Sequence, residues 1–99
     1  MNDPDDIGLA SDVLTASRLV VVGPCMLWAI QVNSQALANH VRVFDGRDNT
    51  GRLRWQFNEV FGVSLPFTPA RPLRLDLGLY VEVVTGSPIV TVAYRPLGR

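Results

Sequence analysis

The sequence predicts an all-β protein: a single β-sandwich with jelly-roll-like or Ig-like connections and about seven or eight short, mostly antiparallel strands. Three observations support this fold class. Apolar and polar residues alternate with a period of two, turn residues recur every ~8–12 positions, and no segment has a helical period. Successive side chains of a strand point to opposite faces of a sheet, so this alternation requires an extended chain. It is clearest between Pro72 and Tyr94.

The chain begins with a polar, acidic lead-in. We expect residues 1–12 to form a flexible arm, either a loose tail or an extended segment lying on a neighbouring subunit. The β-sandwich domain is then predicted to span residues 13–99. Its first strand lies within Val13–Val22, and the Gly23–Pro24 pair ends it.

Two strands with clear alternation follow. Cys25–Asn33 is predicted as a strand with Trp28, Ile30 and Val32 on its buried face, which places Trp28 in the core. Asn39–Asp45 is predicted as the next strand. Its inward residues are Val41 and Val43, and its outward residues are His40, Arg42 and Phe44.

The clearest loop of the chain runs from Asp45 to Gly51. Its glycines and its Asp and Asn residues favour tight turns, because they adopt left-handed backbone conformations and bond to their own backbone. The strand after it, Arg52–Asn58, alternates with Leu53, Trp55 and Phe57 inward. The two strands around the loop are therefore predicted to form a hairpin.

The last third supplies the remaining strands. Glu59–Phe67 is predicted as a weaker strand, and Phe67–Pro72 as a proline-marked connection at a sheet edge. Alternation then places Leu73, Leu75, Leu77, Leu79, Val81, Val83, Val90, Val92 and Tyr94 inward, with Tyr80, Glu82 and Thr91 outward.

The charge balance excludes some classes of partner. Nine basic and nine acidic residues give a net charge of zero. A nucleic-acid-binding protein normally carries a basic excess, since phosphate contacts supply much of its affinity, so we predict no nucleic-acid partner. No run approaches the ~18 apolar residues of a membrane span, and the acidic start does not resemble a signal peptide. We therefore expect synthesis in the cytoplasm and no membrane partner.

The sequence offers little for catalysis. His40 and Cys25 are the single histidine and the single cysteine, and no sequence rule brings them together. They are too few for a structural zinc site, and the loop at Asp45 departs from the calcium-loop pattern. We predict no cofactor, no metal site and no enzymatic activity.

Two aromatic residues fall on the polar side of their strands and suggest a subunit interface. Phe44 and Tyr80 both point outward by alternation, and Arg42 shares the face of Phe44. Aromatic residues and arginine are enriched in protein–protein interfaces. Phe44, Tyr80 and Arg42 are therefore candidate interface residues.

Three segments together resemble a known group of proteins. They are Val22–Asn33 with its Gly-Pro start, His40–Gly46 ending in Asp-Gly, and Gly78–Tyr94 with its Gly-Leu-Tyr-Val start. Their order is similar to that of small β-sandwich virion proteins of tailed bacteriophages and prophages. Cys25 stands where that pattern has a small residue such as glycine.

The resemblance implies a virion component without catalytic residues. Within that group the first expectation is a capsid decoration (cement) protein, a homotrimer that binds the major capsid protein or another virion protein and stabilises the assembled head. Its location would be the virion, after synthesis in the host cytoplasm. Asp3, Asp5 and Asp6 of the arm would then meet basic patches on a coat subunit.

A second hypothesis keeps the same fold with another role. The chain is then a receptor- or carbohydrate-binding module of a phage fibre or tail, with recognition in the loop at residues 46–51. It predicts an exposed aromatic platform and measurable glycan binding.

Overall fold

A computed structural model describes residues 10–33, 39–59, 65–68, 71–86 and 88–97. These residues form strands and turns and no helix, so the all-β prediction is confirmed. The strands are β1 (Ala10–Leu14), β2 (Arg18–Val22), β3 (Cys25–Asn33), β4 (Asn39–Asp45), β5 (Arg52–Glu59), β6 (Leu65–Phe67), β7 (Leu73–Leu75), β8 (Gly78–Thr85) and β9 (Ile89–Pro96). Within the described residues, no helix is long and apolar enough to cross a membrane.

The strands form two antiparallel sheets. Sheet I has the order β1-β9-β3-β6, with β7 also paired to β3, and sheet II has the order β2-β8-β4-β5. The order is that of one long ribbon rolled up on itself: β4 pairs with β5, β3 with β6 and β7, β2 with β8, and β1 with β9. Pairing of β3 with β9 and of β4 with β8 closes the roll. This is a jelly roll. An Ig-like fold would instead place the first two strands in the same sheet.

The inner faces of the two sheets enclose one core. The predicted inward residues of β8 and β9 lie there: Leu79, Val81, Val90 and Val92 are fully buried, and Tyr94 is nearly so. The rings of Trp55 and Phe57 stack against each other, with centroids 6.4 Å apart. Each fully buried Val or Leu side chain contributes about 1.5–3 kcal/mol, so this double layer supplies the main stabilisation. The other residues of the core cluster are Leu14, Val21, Cys25, Leu27, Ile30, Val32, Val41, Val43 and Leu75.

A β-bulge in β3 reverses the predicted orientation of Trp28. Leu27 pairs with Tyr94 and Ala29 with Ala93, which leaves Trp28 as an extra residue. Leu27 and Ile30 are both buried, so the two residues between them lie on the outer side of sheet I. Trp28 is 43% exposed, and its predicted place in the core is wrong.

A second bulge acts in the same way on β5. Val43 pairs with Trp55 and Phe44 pairs with Leu53, so Arg54 is the extra residue. Leu53 therefore points outward and is 44% exposed, contrary to the predicted inward position. The Arg54 guanidinium donates to the carbonyl oxygen of Arg74 in sheet I, at 3.2 Å.

The N-terminal boundary also differs from the predicted one. Val13–Val22 forms two strands, because the chain turns between Leu14 and Arg18 and passes from sheet I to sheet II. The first strand starts at Ala10, so residues 10–12 of the predicted arm belong to the sheet. Residues 1–9 lie outside the described residues.

A polar contact joins the two sheets where β1 meets β2. Asp12 of β1 accepts a hydrogen bond from the Tyr94 hydroxyl at 2.6 Å. The same carboxylate lies 3.1 Å from the Arg18 guanidinium of β2. Burial and the bond to Asp12 raise the pKa of Tyr94 to about 12. This contact fastens the edge strand β1 to both sheets.

A buried carboxylate fixes the turn that leads from β7 in sheet I to β8 in sheet II. Asp45 ends β4 and accepts hydrogen bonds from the backbone N–H groups of Leu77, at 2.8 Å, and Asp76, at 3.0 Å. Leu77 lies in this turn and is 62% exposed, so its predicted inward position is wrong. The backbones of Gly46 and Gly78 touch beside it. A Cβ on Gly78 would lie 2.7 Å from the Gly46 carbonyl oxygen, which excludes any larger residue there without a shift of the chain.

The predicted hairpin of β4 and β5 is confirmed, with the loop at residues 46–51. Asp48 orders this loop by accepting hydrogen bonds from the backbone N–H and the hydroxyl of Thr50. These bonds lower the pKa of Asp48. Asn49 donates to Glu82 of β8 at 2.9 Å. The loop is thus folded back against sheet II.

Candidate functional site

The structure brings the three predicted interface residues of the domain together on the outer face of sheet II. Phe44 of β4 and Tyr80 of β8 are directly opposite each other in the ladder. Their ring centroids lie 6.5 Å apart, with the ring planes tilted by 50°. Arg42 stands two residues along β4 from Phe44 and is therefore on the same face.

The aromatic pair belongs to a longer line of apolar residues. Leu19 of β2 pairs with Tyr80, and Leu53 of β5 pairs with Phe44. We call these four residues, Leu19, Tyr80, Phe44 and Leu53, the apolar row. It crosses sheet II from one edge strand to the other, at right angles to the strands. Each cross-strand pair of this kind contributes roughly 0.2–1 kcal/mol.

Exposure along the apolar row is uneven. Phe44 is 6% exposed, although alternation predicts an outward, accessible ring. It is outward, but neighbours on the same face cover it, and Tyr80 itself is half-buried. Leu53 at the β5 edge presents the accessible aliphatic surface. The sequence pattern did not identify Leu53 as a residue of the outer face, because the bulge at Arg54 reverses the orientation of its side chain.

A polar row lies beside the apolar row. Arg42 is opposite Glu82 on one side and Gln56 on the other. Its Nη1 is 3.7 Å from Glu82 Oε1, and its Nε donates to His40 Nε2 at 3.3 Å. His40 Nε2 also lies 2.9 Å from Gln56 Oε1. Arg42 is therefore held in place within the chain and keeps part of its guanidinium exposed.

Of the other candidate groups within the described residues, His40 lies on this face beside Arg42 and Cys25 does not. Asp3, Asp5 and Asp6 lie outside the described residues. Cys25 is buried in the core, and burial together with the negative charge of Asp45 raises the pKa of its thiol to about 11. His40 is on the outer face of sheet II. Within the described residues, no three His, Cys, Asp or Glu side chains are grouped so that they could hold a metal ion.

The chemistry available on the outer face of sheet II is that of contact. It offers an apolar strip, a half-buried tyrosine and an arginine that donates to His40 and lies 3.7 Å from a carboxylate oxygen of Glu82. Aromatic residues and arginine surrounded by polar groups are typical of interface cores. No protein-family model matches this chain, and no curated protein matches it.

Proposed function

We propose that this protein is a structural component of a phage virion: a capsid decoration (cement) protein that binds and stabilises the assembled head. In this role it acts through protein–protein interfaces and carries out no chemistry. The observation that carries the proposal is the apolar row on the outer face of sheet II, which ends in the exposed Leu53.

The outer face of sheet II is preorganised for binding. The apolar row stands on four hydrogen-bonded strands, and Arg42 donates a hydrogen bond to His40 beside it. A partner that binds this face orders few side chains, so little conformational entropy opposes binding. A ligand that binds the assembled shell alone stabilises that shell by mass action. A rigid contact surface therefore suits a cement protein.

The fold and the sequence resemblance both support a role in a virion. Jelly rolls are frequent in viral capsid proteins, although the fold also serves lectins and enzymes. Three segments resemble phage virion proteins: the Gly-Pro pair lies directly before β3, the Asp-Gly pair is at the end of β4, and the Gly-Leu-Tyr-Val segment starts β8.

We propose a homotrimer in which the apolar row of each copy contributes to the contact. A threefold ring needs a heterologous interface, in which one patch meets a different patch of the next copy. Leu53 lies on the edge strand β5, so it can reach a neighbour placed beside the sandwich. The neutral net charge of the chain opposes association little.

Light scattering on the purified protein tests the self-association. The parent should have three times the chain mass of 10.9 kDa. Leu53→Ser should shift the mass toward the monomer and lower the free energy of unfolding of the monomer by only about 0.2–1 kcal/mol, because Leu53 is already 44% exposed. Phe44→Ser is a poorer test, since Phe44 is buried and its loss destabilises the chain itself.

The matched control is Val13→Ser. Val13 is 59% exposed on β1 of sheet I, whereas the apolar row lies on sheet II. It should leave both the mass and head binding unchanged. Co-sedimentation with purified heads that lack the protein then tests cement function, and Leu53→Ser should reduce occupancy. A monomeric parent that does not bind heads would refute the proposal.

The acidic arm is a separate part of the proposal. Asp3, Asp5 and Asp6 are expected to meet basic patches on a coat subunit. Removal of residues 1–9 leaves β1 intact, so occupancy on heads should fall while the melting temperature stays the same. Unchanged occupancy would remove the arm from the interface.

The alternative is a receptor- or carbohydrate-binding module of a phage fibre or tail, with recognition in the loop at residues 46–51, and it has less support. The loop carries no aromatic residue, and internal bonds of Asp48 and Asn49 use its polar groups. The exposed tryptophan lies on the opposite sheet.

A further inference from the structure

Two arginines flank a methionine on the outer face of sheet I. Met26 of β3 pairs with Arg74 of β7 on one side and with Arg95 of β9 on the other. The residues next to them along their strands point into the core: Cys25, Leu27, Leu75 and Tyr94. Side chains alternate along a strand, so all three side chains lie on the outer face. We call Arg74, Met26 and Arg95 the arginine row.

The arginine row gives this face a positive charge. Strands β3, β6, β7 and β9 contain no acidic residue, and Arg74 and Arg95 are their only basic residues. The carboxylate of β1, that of Asp12, is already bonded to other residues. Among the described residues, Arg74 pairs with the exposed Asp76 and Arg95 takes part in no ion pair. Both arginines are exposed.

The acidic residues that balance this charge lie at the start of the chain. Residues 10–99 contain all nine arginines and six of the nine acidic residues, which leaves them a formal charge of +3. The other three acidic residues are Asp3, Asp5 and Asp6. The chain is therefore neutral because an acidic arm accompanies a basic domain. The charges of the two parts are complementary.

Strand β1 brings the arm to the arginine row. Its first residue, Ala10, pairs with Tyr94, which directly precedes Arg95. From β1 the row crosses β9 and β3 to β7, which is three strand spacings or roughly 14 Å. Asp6 and Asp5 precede Ala10 by about four and five residues, and an extended chain of that length spans roughly 13 and 17 Å. Their carboxylates can therefore reach the whole width of the row.

We propose that the arginine row binds residues 1–9 of its own chain. The carboxylates of Asp5 and Asp6 then lie against the two guanidinium groups, which present several N–H donors to a carboxylate. Gly8 supplies the turn from β1 onto the outer face, because glycine adopts backbone conformations that other residues avoid. A segment tethered this close has a millimolar effective concentration, so weak contacts are sufficient to bind it.

The contact is reversible and depends on salt, because exposed ion pairs are weak and are screened by ions. It concerns the free protein and does not rest on the proposed cement function. On an assembled head, the proposed contact of the arm with a coat subunit would replace it. The arginine row would then become accessible.

Methionine methyl groups report the contact, because Met1 and Met26 are the two methionines of the chain. Labelling with ¹³C-methyl methionine gives two NMR signals, and Met26→Leu identifies them. We call the full chain with Asp3→Asn, Asp5→Asn and Asp6→Asn the triple variant. At about 0.01 M salt the Met26 signal should differ between the parent and the triple variant. The difference should shrink at about 1 M salt, where the screening length is about 3 Å.

A peptide of residues 1–9 tests the same site in a second way. Added to the labelled triple variant, it should shift the Met26 signal toward its position in the parent. The parent should respond several-fold less, because its own arm occupies the row. A peptide with asparagine in place of the three aspartates should leave the signal unchanged.

Variants of the arginine row locate the binding site. In the background of the triple variant, Arg74→Gln and Arg95→Gln should each weaken peptide binding about two- to fivefold, and together they should abolish it. The matched control is Arg52→Gln, an exposed arginine on β5 of sheet II, which should bind the peptide as before. The spectra also verify that each variant is folded.

Mixed labelling distinguishes the chain's own arm from the arm of a second copy. The labelled triple variant is unfolded in urea and refolded with an excess of unlabelled parent. Its Met26 signal should keep the position of the triple variant. A signal at the parent position would show that arms are exchanged between copies, which would overturn the proposal.

Two other results would overturn it: a Met26 signal that is the same in the parent and the triple variant, or peptide binding that survives the loss of both arginines. Because these measurements use the free chain, their outcome is separate from that of the head-binding experiment.

Discussion

The carboxylate of Asp45 is expected to hold the two sheets together at the β7–β8 turn, and Asp45→Asn tests this. Asp45 is 8% exposed. Its two oxygens accept the N–H groups of Leu77, at 2.8 Å, and Asp76, at 3.0 Å. Asparagine keeps one acceptor oxygen, but its NH₂ group must face the other N–H donor. One of the two bonds is therefore lost.

The magnitude follows from the charge on the acceptor. A hydrogen bond to a charged group contributes roughly 1.5–3 kcal/mol, so Asp45→Asn should lower the free energy of unfolding by about 2 kcal/mol. For a domain of this size each kcal/mol corresponds to roughly 4–8 °C, so the melting temperature should fall by about 10 °C. Urea unfolding at pH 7, at a fixed protein concentration, measures the difference.

The effect should depend on pH in a defined direction. Burial acts to raise the pKa of Asp45, but the backbone N–H groups of Leu77, Asp76 and Gly78 outweigh it, and Arg54 adds to their effect. The pKa of Asp45 is therefore lowered in the folded chain. The ionised carboxylate therefore stabilises the folded chain fully at pH values above the pKa of Asp45 in the unfolded chain, about 3.9. This stabilisation is lost as the pH falls through the lower pKa of Asp45 in the folded chain. The difference in the free energy of unfolding between the parent and Asp45→Asn should thus decrease below about pH 4.

The matched control is Asp76→Asn in the same turn. The Asp76 side chain is 69% exposed and pairs with Arg74 at 2.8 Å. An exposed ion pair contributes about 0–1 kcal/mol, so this variant should unfold close to the parent. Equal stability of Asp45→Asn and parent at pH 7, or a gap that does not change down to acid pH, would refute the anchoring role.

Two further predictions concern Tyr94 and Cys25. Tyr94→Phe removes the hydroxyl bonded to Asp12 and should lower the free energy of unfolding by about 1.5–2 kcal/mol in a urea titration. Because the pKa of Tyr94 is raised to about 12, the parent should lose stability as the pH rises above about 10, and the variant should lose less; equal losses would contradict the assigned bond. Cys25 is fully buried with its pKa raised to about 11, so a thiol reagent at pH 8 should label the chain in urea and not in buffer, and fast labelling of the native chain would contradict its burial.

Local patterns in the sequence were sufficient for the strands themselves. The predicted bounds Cys25–Asn33 and Asn39–Asp45 are those of β3 and β4. The glycine-rich loop between Asp45 and Arg52 correctly predicted that β4 forms a hairpin with β5. A period of two and the turn residues are properties of neighbouring positions, so they can be read without knowing the partner strands.

The candidate site was predicted in part. Phe44, Tyr80 and Arg42 do share one face, as alternation requires. The burial of Phe44 depends on the ring of Tyr80, which is more than thirty positions away along the chain. A local sequence pattern cannot predict this contact. Alternation predicts the wrong face for Leu53 and Trp28, because a bulge reverses the orientation of each side chain. The position of each bulge depends on the register of the opposite strand.

The sequence by itself determined that this chain forms short antiparallel strands around one apolar core, because alternation of side chains and the positions of glycine and proline are local properties. The tertiary structure alone decided that the strands roll into a jelly roll, that Asp45 fixes a turn 31–32 residues away, and that Trp28 lies on an outer face. Strand order, bulges and long-range hydrogen bonds arise from pairing between distant segments. These features depend on which strands pair, and the periodicity within one strand does not indicate its partner strand.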